Sequence, residues 1–171
     1  MASTNKNNKS PRTGTASKAS PHANQRTIAR LNAVQGLYQM EVGGADLSDI
    51  RTQFAARLAG GELEGETYLP GDADFFNQIL AGVLKHQLSI DPMIDATLTG
   101  DWPIARIDTT LRAILRAGAF ELMYRSDIPA GVVVSEYVDV AKAYFEAEVP
   151  AMVNAVLDKI AKSRGGLQDK S

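Results

Sequence analysis

The chain has 171 residues, with 18 Lys plus Arg against 20 Asp plus Glu, 44% hydrophobic residues and no cysteine. These values fit one soluble domain, and the missing thiol excludes a disulfide framework, a cysteine nucleophile and a Cys-ligated metal. No apolar run approaches the roughly 20 residues that span a bilayer, and the first residues lack the apolar stretch of a secretory leader, so a cytoplasmic protein is expected.

The net charge of −2 conceals an asymmetry. Residues 1–26 carry Lys6, Lys9, Arg12, Lys18 and Arg26 with no acid, which leaves 13 bases against 20 acids in the rest. This leader is rich in Ser, Thr and Asn, contains Pro11 and Pro21, and has too little apolar surface to offset its ordering entropy. Residues 1–25 are therefore expected to be a disordered basic tail, able to raise the local concentration of an RNA backbone.

From Thr27 the apolar spacing turns helical. Ile28, Leu31, Val34, Leu37 and Tyr38 recur at three- and four-residue steps and predict a first helix, stopped by Gly43-Gly44. Asp46 caps a second helix that carries Ile50, Phe54 and Leu58 and halts at Gly60-Gly61. The stretch Gly60 to Gly71 reads as one long internal loop. Asp72 starts a third helix along Phe76, Ile79, Leu80, Val83 and Gln87, with His86 placed near its end as a partner of the dipole. Asp91 and Pro92 start a short fourth helix.

The sequence Gly100-Asp101-Trp102-Pro103 then breaks the chain. Asp108 caps a fifth helix along Leu111, Ile114, Leu115, Gly118 and Leu122. Pro129 opens a sixth with a stripe of Val133, Tyr137, Val140, Ala141 and Tyr144. Pro150 opens a seventh along Val153, Val156, Leu157 and Ile160. The expectation is an all-α body of seven helices over residues 26–164, with a short flexible end at 165–171. Links near 60–71 or 100–106 could divide it into two lobes.

Reaction chemistry is hard to find. The chain has no G-x-x-x-x-G-K-[ST] loop, no H-E-x-x-H and no G-x-S-x-G elbow. Asp72 and Asp74 resemble the start of a calcium loop, but Phe75 and Phe76 stand where oxygen ligands are required. His22 and His86 are too few for a metal pair. Neither an enzyme nor a cofactor is expected. Arg106, Arg116 and Glu121 are candidates for an ion-pair network, and Asn154, among Val153, Val156 and Leu157, is expected to be a buried amide.

The ordered segments carry more. Ala29-Arg30-Leu31-Asn32-Ala33-Val34-Gln35-Gly36-Leu37-Tyr38 is followed by Arg106-Ile107-Asp108, Leu115-Arg116 with Glu121-Leu122, and Asp127-Ile128-Pro129. Glu136 with Ala141-Lys142 comes next, and then Val153-Asn154-Ala155-Val156-Leu157-Asp158. In that order and at those separations the chain, from about Arg26 to Ala161, resembles the NusB family of transcription antitermination proteins.

The resemblance implies a seven-helix fold of two small helical bundles with no catalytic activity. It further implies binding of the single-stranded boxA element of nascent ribosomal RNA together with NusE, a ribosomal protein, and joining of other Nus factors on RNA polymerase. In the family an arginine-rich segment leads into the first helix; here only Arg26 and Arg30 fall on it, with Thr27 and Ile28 where further arginines are usual. Arg26 and Arg30 are thus the phosphate-binding candidates, reinforced by the bases of the tail. Tyr38, Lys142 and Tyr144 complete the expected RNA surface, and Tyr38, Glu148 and Met152 the partner surface. Two other readings are a helical RNA-binding module of the type fused to ribosomal RNA cytosine methyltransferases, and a homodimeric scaffold that binds protein only.

Overall fold

Three aspartates set three helix starts. In a computed structural model of the chain, which describes residues 21–98 and 103–168 and the side chains of 24–98 and 103–164, Asp46 accepts from the Asp49 amide at 2.9 Å and Asp72 from that of Phe75 at 2.9 Å. Asp108 accepts from Thr110 at 2.8 Å and Leu111 at 3.2 Å. Each carboxylate satisfies amides that the helix itself cannot pair. They open α2 (Leu47–Ala59), α3 (Ala73–Thr97) and α4 (Thr109–Tyr124). Before them lies α1 (Pro21–Gly43); a 3-10 turn (Ile104–Arg106) leads into α4, and α5 (Ala130–Tyr144) and α6 (Glu148–Gln168) close the chain.

The described residues thus form six α-helices where seven are expected, because the third and fourth are one. Pro92 lies inside α3. A proline there leaves the carbonyl four residues back without its donor, and that residue, Leu88, is 94% exposed, so water can reach the turn. Asp91, expected as a cap, receives Arg116 instead through two 2.8 Å bonds that tie α3 to α4. At the other end, α1 begins at Pro21, inside the stretch expected to be tail. Lys6, Lys9, Arg12 and Lys18 lie outside the described residues, as do Gly100, Asp101 and Trp102 of the predicted break.

The expected long loop contains a hairpin. Strands β1 (Gly61–Leu63) and β2 (Glu66–Tyr68) pair antiparallel, Gly61 opposite Tyr68 and Leu63 opposite Glu66. Glu64 and Gly65 make the two-residue turn, with φ of 52° and 81°. Two positive φ angles are what a tight hairpin turn of the right twist demands. At the base of the hairpin, Gly60 has φ 79°, and a Cβ there would sit 2.9 Å from the Pro70 nitrogen.

Helix α4 is the centre of the molecule. Eleven of its residues are buried, from Leu111 to Leu122, and a helix apolar on nearly all sides belongs in a core. α1 and α3 pack on it, as do α5 and α6. Two glycines permit the closest approaches. Gly82 of α3 admits the Phe120 ring, which would lie 2.1 Å from a Cβ, and Gly118 of α4 admits Leu157 at 2.8 Å. The buried apolar side chains form one cluster that runs from Ala29 to Ile160 through all six helices.

Other expectations are corrected in place. His86 sits well inside α3, with its ring stacked on Tyr124 at 3.8 Å and 15°, not at a helix end. Asn154 is exposed, because Val153, Val156, Leu157 and Ile160 turn one face of α6 inward and Asn154 falls off that face. The ion pairs join different partners. Arg116 reaches Asp91 and Glu41, Arg112 pairs with Glu41, and Glu121 takes Arg30; Arg106 is exposed at the end of the 3-10 turn. No described helix is long and apolar enough to cross a membrane.

Candidate nucleic-acid interface

Of the two arginines that the sequence offers for phosphate, Arg30 is in the interior. It is 2% exposed, and its Nη2 lies 2.9 Å from Glu121 Oε1 while Nε lies 3.0 Å from Glu121 Oε2. The Tyr137 hydroxyl donates to the same carboxylate, and Arg30 Nη1 is 3.6 Å from Glu136. Burial alone would lower the Arg30 pKa, but the Glu121 hydrogen bonds and charge outweigh it and leave the guanidinium above its ordinary value. Burial, together with the Glu121 charge, holds the Tyr137 phenol well above its usual range. Arg30 therefore clamps α1 to α4 and α5 and offers no open cation to a phosphate. The helical pattern could not reveal this, because its partner lies 91 residues away.

Arg26 is half-buried one turn earlier. Its guanidinium stands 4.8 Å from the centre of the Phe75 ring, which Arg30 and Arg125 approach at 5.0 and 5.4 Å. The Nε of Arg26 is buried without a hydrogen-bond partner among the described residues. Arg125 is committed to Asp127 through two 3.0 Å bonds, which hold the Asp127 carboxyl down to about 2.

The two tyrosines meet. Val34, Gln35, Tyr38 and Gln39 of α1, Arg57 of α2, Thr110 of α4 and Tyr144 of α5 line an open depression of about 400 Å³. Tyr38 is 40% and Tyr144 41% exposed, and Gln35 Nε2 donates to the Tyr144 hydroxyl at 3.0 Å. Two half-open rings, two amides and a cation can stack a base, read its edge and hold a phosphate. Arg57 is the residue that sequence reasoning missed. Its guanidinium lies 5.0 Å from the Phe54 ring and 5.8 Å from that of Tyr68. The three-residue step from Phe54 to Arg57 was a usable signal; the return of Tyr68 through the hairpin was not.

The remaining candidates sit elsewhere. Lys142 is exposed, 3.8 Å from Asp139 in a surface pair of little energetic weight, and faces a groove between α5 and α6 with Phe145, Ala147 and Asn154. Glu148 is exposed in the first turn of α6. Met152 is half-buried and lines another depression with Leu98, Leu111, Val156 and Lys159. Tyr38 and Tyr144 are thus brought together, whereas Lys142 and Met152 open onto different grooves.

The described residues thus form a helical body with a ring-lined depression, and among them no group of His, Cys, Asp or Glu could hold a metal ion. A model of the NusB family matches residues 27–162, so the chain belongs to the NusB family. Among its relatives, the transcription antitermination protein NusB of Sinorhizobium fredii is 54% identical over 86% of this chain and 92% of its own length. That of Bradyrhizobium diazoefficiens is 51% identical over 94% of each. These relatives are antitermination factors, not enzymes. Among solved structures, T. maritima NusB is similar with a TM-score of 0.66 at 29% identity, covering 80% of this chain and 90% of that one. The NusB fold also recurs in a crystal structure of antitermination factors NusB and NusE with double-stranded RNA, with a TM-score of 0.68 at 23% identity over 82% of this chain and 98% of that one.

Proposed function

We propose that this chain is a cytoplasmic antitermination factor that binds the boxA element of nascent ribosomal RNA jointly with NusE and joins other Nus factors on RNA polymerase. The observation that carries the RNA part of this reading is the meeting of Tyr38 and Tyr144 on one depression, with Gln35 and Gln39 beside them. Exposed rings with adjacent amides suit the unstacked bases of a single strand. The solved NusB–NusE–RNA assembly supports the same pairing of partners here.

Charge favours joint binding. Beyond residue 26 the chain carries more acids than bases, so a basic partner protein suits most of its surface better than a polyanion does. In this reading Tyr38, Glu148 and Met152 are the candidates for the partner surface, and Arg26, Tyr38, Tyr144 and Lys142 those for the RNA. Titration of labelled boxA RNA against the protein, with and without NusE and over a range of salt, tests the reading. Weak binding alone and much tighter, salt-sensitive binding with NusE are expected. Equal affinity for a scrambled RNA, or no effect of NusE, would overturn it.

A further inference from the structure

The first turns of α1 have little of their own to hold them. The stretch from Pro21 to Thr27 offers no acid to the helix dipole in its first turn and no large apolar side chain before Ile28. A helix end of that composition frays unless something outside the helix fixes it. Contacts from α3 and α5 do so. At the start of α3, the Asp72 amide donates to the Gln25 carbonyl at 3.0 Å, and the Phe75 ring lies under the Arg26 guanidinium. From α5, the Glu136 carboxylate accepts the Thr27 hydroxyl, which stands 3.0 and 3.1 Å from its two oxygens.

The bond to Glu136 also sets how the two helices lie. Thr27 meets Glu136, and one step of eight residues further along both helices Gln35 meets Tyr144. Equal steps in the same direction mean that α1 and α5 run parallel and in register over about 12 Å, which brings their starts, Pro21 and Ala130, to the same end of the molecule. Glu136 stands 3.6 Å from Arg30 Nη1 as well, but Glu121 already answers that charge. Changing Glu136 therefore leaves no unpaired cation in the interior.

We infer that Glu136 is a positioning residue for the cationic leader: by holding the Thr27 hydroxyl it keeps the start of α1 helical and seated on α5, and so fixes where Arg26 meets a phosphate and where the basic leader joins the body. The inference rests on the reading of the chain as an RNA-binding antitermination factor, and it gives a carboxylate a part in holding a polyanion. Charge alone predicts the opposite sign, since an acid beside a cationic segment repels phosphate and its loss should tighten binding. Loss of a positioning acid weakens binding, because the freed segment must then be ordered at the moment the RNA arrives.

The test is anisotropy of labelled single-stranded boxA RNA with the full chain and NusE, over a range of salt, for wild type, Thr27→Val, Thr27→Ser, Glu136→Leu and Glu136→Gln, with thermal melts to verify folding. Thr27→Val keeps the shape of threonine and changes no charge. It is expected to weaken binding about fivefold, the loss of one hydrogen bond, with an unchanged slope of log affinity against log salt and faster amide hydrogen exchange at residues 24–29. Glu136→Leu is expected to weaken binding at least as much, against the electrostatic sign. Thr27→Ser and Glu136→Gln, which keep a donor and an acceptor, should stay within about twofold of wild type. Tighter binding by Glu136→Leu, or wild-type affinity for both Thr27→Val and Glu136→Leu while the wild type prefers boxA, overturns this inference alone. Failure of the wild type to prefer boxA overturns the functional reading and this inference with it.

Discussion

Arg30 and Glu121 form a two-point ion pair with 2% and 0% of their surfaces exposed. Removing one member of such a pair strands a charge in the interior, which costs about 3–5 kcal/mol. Glu121→Gln is therefore expected to lower unfolding free energy by about 3 kcal/mol in urea titrations, and Arg30→Met by a similar amount. The double variant Arg30→Met with Glu121→Leu should lose much less than the sum. In RNA titrations the folded fraction of Arg30→Met should keep the wild-type salt slope, since Arg30 presents no open cation.

The Tyr137 phenol gives an alkaline signature. Its folded pKa lies above its unfolded value, so the stability it contributes is fully present below about pH 10 and is lost as pH rises beyond that. In an ultraviolet titration the Tyr137 phenol should ionise only as the protein unfolds. Tyr137→Phe should remove that step; a Tyr137 phenolate in the folded protein would overturn the prediction.

Gly82→Ala should be costly. The added methyl would lie 2.1 Å from the Phe120 ring, and overpacking of this kind destabilises by roughly 1–3 kcal/mol. A second change, Phe120→Leu, should recover part of the loss in thermal melts. If Gly82→Ala melts like the wild type, the α3–α4 contact is looser than described.

The hairpin turn can be improved. Glu64 holds φ at 52°, a conformation that asparagine and glycine adopt more readily. Glu64→Asn is expected to raise stability by about 0.5 kcal/mol, read as slower proteolysis at residues 61–68 and a small rise in Tm. A drop in either would argue against a positive φ at that position.

Much of the framework was legible because it is local. Asp46, Asp72 and Asp108 announce helix starts within three residues of the amides they cap, and the apolar spacing of α4 and α6 carries straight into burial. What failed was decided at a distance or by context. Pro92 reads as a start, yet the helix on both sides packs well enough to run through it. Glu64 is a poor residue for a turn with positive φ, so the hairpin left almost no trace. Arg30 looks like part of a basic surface until Glu121 and Tyr137 are brought beside it. For the site, Tyr38 and Tyr144 could be named singly, but their meeting, and the arrival of Arg57, required the fold.

From Leu111 to Leu122, α4 is buried at every position but Arg116 and is packed by α1, α3, α5 and α6. A helix so enclosed has no face left with which to greet anything outside the molecule. The consequence is a division of labour between conserving shape and acquiring contacts. Substitutions that retune affinity can accumulate on the outer faces of α1, α2 and α5 and on the hairpin without disturbing the axle, while almost any change on the axle is felt at once by the four helices packed on it.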